Sequence, residues 1–152
     1  MLMPAMPVLR DPRLTADTPQ TPDAETPGNA PLVLVVEDDP RIQELLTDVL
    51  IGNGYRVDAT DSALGAAALV RRLRPDIVLL DLGLPYRSGA HVLNEIKVDP
   101  LTCNVPVVIL SAMAETLSPE RRAQADAVLS KPIRLHSLLA AVGAAISTRL
   151  AA

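Results

Sequence analysis

Acidic side chains stand at the ends of two apolar runs in this sequence. Glu37 and Asp38 follow the apolar residues 32–36, and Asp81 follows the branched apolar residues 77–80. Short continuous apolar runs favour strands that are covered on both faces, as in a parallel sheet. The carboxyl ends of parallel strands lie along one edge, where open α/β sheets hold their ligands. We therefore expect the three carboxylates to converge.

The ends of two further predicted strands carry polar groups that could act together with these carboxylates. Ser111 follows the apolar residues 106–110, and Lys131 lies just beyond residues 127–129. Clustered carboxylates raise one another's pKa values unless a cation neutralises them, and Mg²⁺ suits a set of oxygen ligands that keeps waters or phosphate oxygens. A lysine and a hydroxyl beside Mg²⁺ form a phosphoryl-binding set, and an aspartate such as Asp81 can form an acyl phosphate.

Each of these residues also has a purely structural interpretation. The acids at 37–39 could serve only the entry of a helix, where the macrodipole favours negative charge. Asp81 and Ser111 could cap helices or turns, and Lys131 could be a solvated loop charge. Taken one at a time, the structural interpretation is the more common. The occurrence of all of them at matching ends of successive strands favours a shared site.

The elements that must position these residues alternate between strand and helix. Strands are predicted at residues 32–36, 55–60, 77–81, 106–110 and 127–129. Helices are predicted at residues 40–52, from Asp61 or Ser62 up to Pro75, and at 88–98, 119–125 and 135–150. The alternation predicts an α/β fold, in which five helices cover both faces of a five-stranded parallel sheet through right-handed crossovers.

Apolar residues at helical spacing identify the helix faces that should pack on this sheet. The first helix carries Ile42, Leu45, Leu46, Val49 and Leu50 on such a stripe. The second helix carries Ala66, Leu69, Val70 and Leu73, and the third carries Val92, Leu93 and Ile96. The last helix carries Leu135, Leu138, Leu139, Val142 and Ile146.

Composition narrows the class of protein. A chain of 152 residues is long enough for a core in one domain, which must be aliphatic because the sequence has two Tyr and no Phe or Trp. A net charge of −4 without a basic block argues against direct nucleic-acid binding. No stretch reaches the roughly 20 apolar residues of a membrane span. The single cysteine, Cys103, fits a reducing compartment, so we expect a cytoplasmic protein.

The amino-terminal residues have a different composition from the rest. Residues 1–31 hold seven of the fourteen prolines, and such a segment buries too little apolar surface to offset the entropy cost of ordering it. We predict a disordered, proline-rich extension at residues 1–31, followed by one domain at residues 32–150.

Residues 32–150 resemble the receiver domain of bacterial response regulators, the chemotaxis-regulator-like domain of two-component systems. The matching stretches are LVLVVEDD at 32–39, LLDLGLP at 79–85 with Gly89, VVILSA at 107–112, and Lys131-Pro132. The resemblance implies a flavodoxin-like fold with strand order 2-1-3-4-5.

The resemblance also implies that Asp81 accepts a phosphoryl group from a histidine of a sensor kinase or a phosphotransfer protein. Asp38 and Asp81 would bind Mg²⁺ directly together with the carbonyl of Gly83, and Glu37 would bind it through water. The domain would catalyse only its own phosphorylation and dephosphorylation, so turnover of an external substrate is not expected.

Signal output follows from the same resemblance. Ser111 and Lys131 would each bind a phosphoryl oxygen, with a cis peptide before Pro132. The downstream protein would bind the face formed by the fourth helix, the fifth strand and the fifth helix, with no direct role for nucleic acid or membrane; a homodimer stays open. Because the sequence ends after the last helix, we expect a stand-alone receiver, acting as a diffusible switch or a phosphate shuttle.

Two positions depart from the family pattern. Val128 stands where the family usually has Tyr or Phe, so a ring that swings inward on activation is excluded. Gln124 stands where the family often has Gly before the fifth strand, which leaves the geometry of that turn open.

Three other functions compete with this interpretation. A haloacid-dehalogenase-type phosphatase requires an aspartate two residues after the nucleophile, where this chain has Gly83. A flavodoxin-like flavin binder needs a small polar phosphate loop after the first strand, where this chain has three acids. The third is a pseudo-receiver, an interaction or dimerisation module without phosphotransfer. The complete set of acids, hydroxyl and lysine argues against it, whereas Val128 keeps it open.

Overall fold

Five parallel strands form one sheet in the order β2-β1-β3-β4-β5. The computed structural model describes residues 29–84 and 88–151. The strands are β1 Leu32–Val36, β2 Arg56–Thr60, β3 Ile77–Asp81, β4 Val107–Ser111 and β5 Ala127–Ser130. The helices are α1 Pro40–Gly52, α2 Ala66–Leu73, α3 Gly89–Val98, α4 Pro119–Gln124 and α5 Leu135–Ala151, with a 3-10 turn at Ala114–Thr116. The predicted flavodoxin-like fold is confirmed.

Alternate residues of the three central strands face two separate layers of apolar side chains. Val33 and Val35 of β1 pack with α1 and α5, whereas Leu34 and Val36 pack with α2 and α3. β3 and β4 divide in the same way, because successive side chains of a strand point to opposite faces. Burial on both faces explains why these strands are apolar throughout.

The first helix begins and ends where its sequence indicates. The Asp39 side chain accepts a hydrogen bond from the Arg41 amide, and Pro40 occupies the first turn. Leu46 and Leu50 are fully buried against the sheet. Leu45 was expected in the same stripe, but its side chain is 47% exposed. The contact stripe of α1 is therefore narrower than its apolar pattern, and Leu45 lies at its outer margin.

The second helix begins later than predicted. Asp61 and Ser62 were the expected caps, but the cap residue is Gly65, at φ +81°. The intervening residues form hydrogen-bonded turns, since the Ser62 hydroxyl accepts from the Leu64 amide and Thr60 Oγ1 accepts from the Ser62 amide. Hydroxyls that bond the backbone in this way compete with helix formation.

Smaller differences concern the ends of other elements. β4 runs one residue further than predicted and includes Ser111. Leu135, expected in the buried stripe of α5, is 37% exposed at the first turn of that helix. The turn before β5 needs no glycine, because Gln124 ends α4 and the following Ala125 has φ −103°. None of the helices in the described part of the chain is long and apolar enough to cross a membrane.

Some predictions fall on residues that the structure does not describe. The expected disordered extension lies outside the described residues except for 29–31, and Pro85 of the LLDLGLP stretch at 79–85 also lies outside them. The proposed boundaries of the domain at 32–150 therefore stay a prediction.

The close packing of Gly89, at the start of α3, against the end of β3 can be tested by substitution. A Cβ atom at Gly89 would clash with the Asp81 carbonyl oxygen and lie 2.7 Å from Leu82 Cα, whereas nothing lies within 4 Å of one at Gly52. We expect Gly89→Ala to lower the free energy of unfolding by about 1–3 kcal/mol. Gly52→Ala, the control, should leave it unchanged or raise it by up to about 1 kcal/mol. Urea unfolding followed by circular dichroism measures both, and equal stabilities would contradict this packing.

Candidate functional site

The pairing of β1 with β3 brings the first two acids together. Val36 of β1 pairs with Leu80 of β3, so one further residue on each strand sets Glu37 beside Asp81. The Glu37 amide continues the sheet by donating to the Thr60 carbonyl of β2 at 3.0 Å. Both acids are buried, and both continue the strand alternation on the face that packs with α1 and α5.

Lys131 reaches these two acids from beyond β5. Its Nζ atom lies 3.1 Å from Glu37 Oε2 and 3.2 Å from Asp81 Oδ2. The Lys131 amide donates to the Ser111 carbonyl at 2.9 Å, which fixes the backbone from which the side chain extends. The peptide between Lys131 and Pro132 is cis, as the family resemblance implied. One ammonium group thus bridges two carboxylates from strands that are distant in sequence.

The electrostatics of Glu37 reflect this crowding. Burial raises the pKa of Glu37 above its ordinary value of 4.5, and the charge of Asp81 raises it further. The hydrogen bond from Lys131 offsets only part of this effect. Burial alone would lower the pKa of Lys131, but its hydrogen bond to Glu37 and the charge of Asp81 outweigh burial and raise that pKa instead. Lys131 therefore compensates only in part for the burial of Glu37 and its proximity to Asp81.

Asp38 completes a set of oxygen ligands that fits a hard cation. Ligand atoms of Glu37, Asp38 and Asp81 all lie within 4.8 Å of one another, and Asp38 is the exposed member. Carboxylate oxygens are the ligands that Mg²⁺ takes, and an open side leaves room for waters or phosphate oxygens. The charge of Asp81 contributes to the raised pKa of Glu37, after burial, and a cation bound between the two carboxylates would offset this repulsion. The residues present thus fit Mg²⁺.

The remaining predicted residues line the same cavity, which has a volume of about 530 Å³. The buried Ser111 hydroxyl accepts a hydrogen bond from the Met113 amide at 3.0 Å. The Gly83 amide donates to Asp81 Oδ1 at 2.9 Å, while the role of its carbonyl as a ligand stays a prediction. All six residues singled out from the sequence meet at this cavity.

One hydrogen bond to the acidic residues was not predicted from the sequence. The Gln43 side-chain amide, in α1, donates to the Glu37 carbonyl at 2.9 Å. A signal was present, because Gln43 precedes the buried Leu46 and Leu50 at helical spacing and is a polar residue on the inner face of α1.

Comparison with known proteins agrees with this fold. The family model of the response regulator receiver domain matches residues 33–143. The chain belongs to this family. Receiver domains are signalling modules that interact with histidine kinases or phosphotransfer proteins. The family assignment, made from the sequence as a resemblance, is confirmed.

Two curated relatives of this receiver domain are longer proteins. The chain is 39% identical over 114 residues to the DNA-binding response regulator MtrA of Mycolicibacterium smegmatis, covering 74% of this chain and 49% of the relative. It is 33% identical over 116 residues to the DNA-binding dual master transcriptional regulator RpaA of Synechocystis, covering 75% and 48%. The chain thus spans about half the length of the curated relatives it matches.

Solved structures show the same receiver fold. A sensor protein from Polaromonas has a TM-score of 0.72 and 29% identity, covering 78% of this chain and 98% of that one. The receiver domain of a sensor histidine kinase from Pseudomonas aeruginosa has a TM-score of 0.71 and 28% identity, with the same coverage. Its structure has a magnesium ion coordinated in the active site cleft.

The raised pKa of Glu37 predicts a pH dependence of stability without Mg²⁺. Between pH 4.5 and the folded-state pKa, the folded protein keeps a proton on Glu37 that the unfolded chain has lost. The contribution of Glu37 to stability is therefore full below pH 4.5 and is lost as the pH rises through the folded-state pKa. Glutamine does not titrate, so the free energy of unfolding of Glu37→Gln should rise relative to that of the native chain as the pH increases from 4.5 through the folded-state pKa.

Urea unfolding in EDTA at a series of pH values measures this difference. Asp58→Asn, which removes an exposed acid of the edge strand β2, serves as the control and should follow the native curve. If the free energies of unfolding of Glu37→Gln and the native chain differ by the same amount at every pH in this range, the account is contradicted.

Proposed function

We propose that this receiver accepts a phosphoryl group on Asp81 from a histidine of a sensor kinase or phosphotransfer protein, in a reaction that requires Mg²⁺. The observation that carries the proposal is the contact of the Lys131 ammonium with Asp81 and Glu37 at the open edge of the sheet. Asp81 is buried, yet it lines an open cavity that a phosphodonor can enter.

The residues divide the chemistry among them. A carboxylate oxygen of Asp81 forms a bond to phosphorus while the bond from phosphorus to the histidine nitrogen breaks, and that nitrogen keeps the electron pair. Lys131 and the Ser111 hydroxyl donate hydrogen bonds to phosphoryl oxygens. The Ser111 oxygen accepts from the Met113 amide, which leaves the hydroxyl proton free to donate. Glu37, Asp38 and Asp81, with the Gly83 carbonyl, hold the metal. Mg²⁺ supplies charge neutralisation for the transferred group. The domain turns over no other substrate.

Output passes through protein contact in this proposal. Phosphorylation changes the charge of the Asp81 side chain from −1 to about −2 and adds phosphoryl oxygens, which biases the cavity-lining segment between β4 and α4. The face of α4, β5 and α5 would then present the altered surface to a downstream protein. Stand-alone action and a cytoplasmic location stay predictions, and the DNA binding named for the relatives is not carried over to this chain.

A pseudo-receiver is the alternative, and Val128 favours it. Its half-buried side chain packs against the apolar cluster that includes residues of α2 and α3, so no aromatic ring at this position of β5 couples the site to the surface. The ion pairs of Lys131 with Glu37 and Asp81 favour phosphotransfer, because a purely structural module gains little from crowding buried acids.

Phosphorylation by a small donor tests the proposal. Incubation with acetyl phosphate and Mg²⁺ should add one phosphoryl group to the chain, detected as an intact-mass increase. The adduct should be absent in EDTA and in Asp81→Asn, which lacks the nucleophilic oxygen. Asp58→Asn, an exposed aspartate on β2, is the matched control and should be phosphorylated normally. An unmodified native chain that binds Mg²⁺ would support the pseudo-receiver instead.

Lys131→Ala separates metal binding from signalling. Because Lys131 contributes positive charge beside two ligands, its removal should leave Mg²⁺ affinity unchanged or tighter by calorimetry. Phosphorylation should no longer shift the amide resonances of α4 and β5, since no ammonium draws β5 toward the phosphoryl group. Arg134→Ala, which removes an exposed cation outside the cavity, should keep those shifts. Full shifts in phosphorylated Lys131→Ala would show that Lys131 is not the coupling residue.

A further inference from the structure

The turn that carries the acids between β1 and α1 is held by a small set of hydrogen bonds. The Asp39 amide donates to Glu37 Oε1 at 3.2 Å. The Gln43 amide donates to the Asp39 carbonyl at 2.9 Å, and the Gln43 side chain donates to the Glu37 carbonyl at 2.9 Å. Gln43 therefore bonds both ends of the acidic turn.

The elements on both sides of the hydrogen bond between the Gln43 side chain and the Glu37 carbonyl are firmly packed. Leu46 and Leu50 anchor α1 to the sheet with no exposed surface, and Gln43 is half-buried one turn before them. On the other side, the Glu37 amide is fixed to the Thr60 carbonyl of β2. The Gln43 side chain thus joins an anchored helix to an anchored strand end across the turn.

Asp38 is the residue that this arrangement controls. It lies between the two residues that Gln43 bonds, and it is the exposed member of the group of three acids. Since Asp81 belongs to β3 and Asp38 to the turn, their separation depends on how the turn is held. Hydrogen bonds that orient metal ligands typically change metal affinity about 10- to 100-fold when removed.

We propose that Gln43 is a positioning residue for the divalent-cation site, which sets Asp38 relative to Asp81 without touching the ion. The inference rests on the Mg²⁺ site of the proposed function and adds the residue that preorganises it. Loss of the Gln43 amide frees the turn, so a higher Mg²⁺ concentration is needed to assemble the same ligands.

Gln43→Met tests this role, because it keeps the length of the side chain and removes the donor. Calorimetric titration with Mg²⁺ alone should give a dissociation constant about 10-fold higher than that of the native chain. Acetyl phosphate labelling should need correspondingly more Mg²⁺ but reach the native rate at saturation. Thr47→Val, one turn further along α1, is the control and should leave both quantities unchanged.

A second variant separates positioning from charge. Gln43→Lys restores a donor and adds a positive charge, which by itself weakens cation binding. Tighter Mg²⁺ binding by Gln43→Lys than by Gln43→Met supports positioning. Native affinity in Gln43→Met overturns the inference while leaving the proposed function intact. Absence of Mg²⁺ binding in the native chain overturns the proposed function, and this inference with it.

Discussion

The structure depends on one electrostatic constraint, the burial of Glu37 and Asp81 side by side at the carboxyl edge of the sheet. Strand pairing imposes this neighbourhood, because the residue after Val36 must meet the residue after Leu80. Lys131 neutralises part of the charge, at 3.1 and 3.2 Å from the two carboxylates. Buried charges are costly unless they are paired, and the cation and phosphoryl site that we propose gives a reason for this cost.

The rest of the fold supplies rigid support for this cluster. Central strands that are buried on both faces hold the strand ends in register, and a closely packed Gly89 lets α3 approach the backbone of Asp81. Of the three proposed ligands, Glu37 and Asp81 are held by the strands β1 and β3, whereas Asp38 lies in a turn. This difference explains why the contacts of Gln43 matter to the geometry of the cluster.

The sequence predicted most of this architecture because its strongest signals are physical. Apolar runs that end in acids indicate buried strands and their edge, and Asp39-Pro40 indicates a helix start. The exposure of Leu45 could not be predicted, because a helical stripe gives the direction of packing and not the width of the contact. The start of α2 was also predicted too early. The hydroxyls of Thr60 and Ser62 form local hydrogen bonds with the backbone, and such bonds compete with helix formation. The contact of Lys131 with both Glu37 and Asp81 could not be predicted in detail, because it depends on the register between strands that are distant in sequence.

A double-mutant cycle of Glu37→Gln and Lys131→Met tests the central constraint most directly, measured as the free energy of unfolding with and without Mg²⁺. Without Mg²⁺, Lys131→Met should be the least stable of the four proteins, with a coupling energy of about 1–3 kcal/mol. Saturating Mg²⁺ should return most of that lost stability, because the cation replaces the missing ammonium charge. Additive effects of the two substitutions, with no response of Lys131→Met to Mg²⁺, would contradict the account.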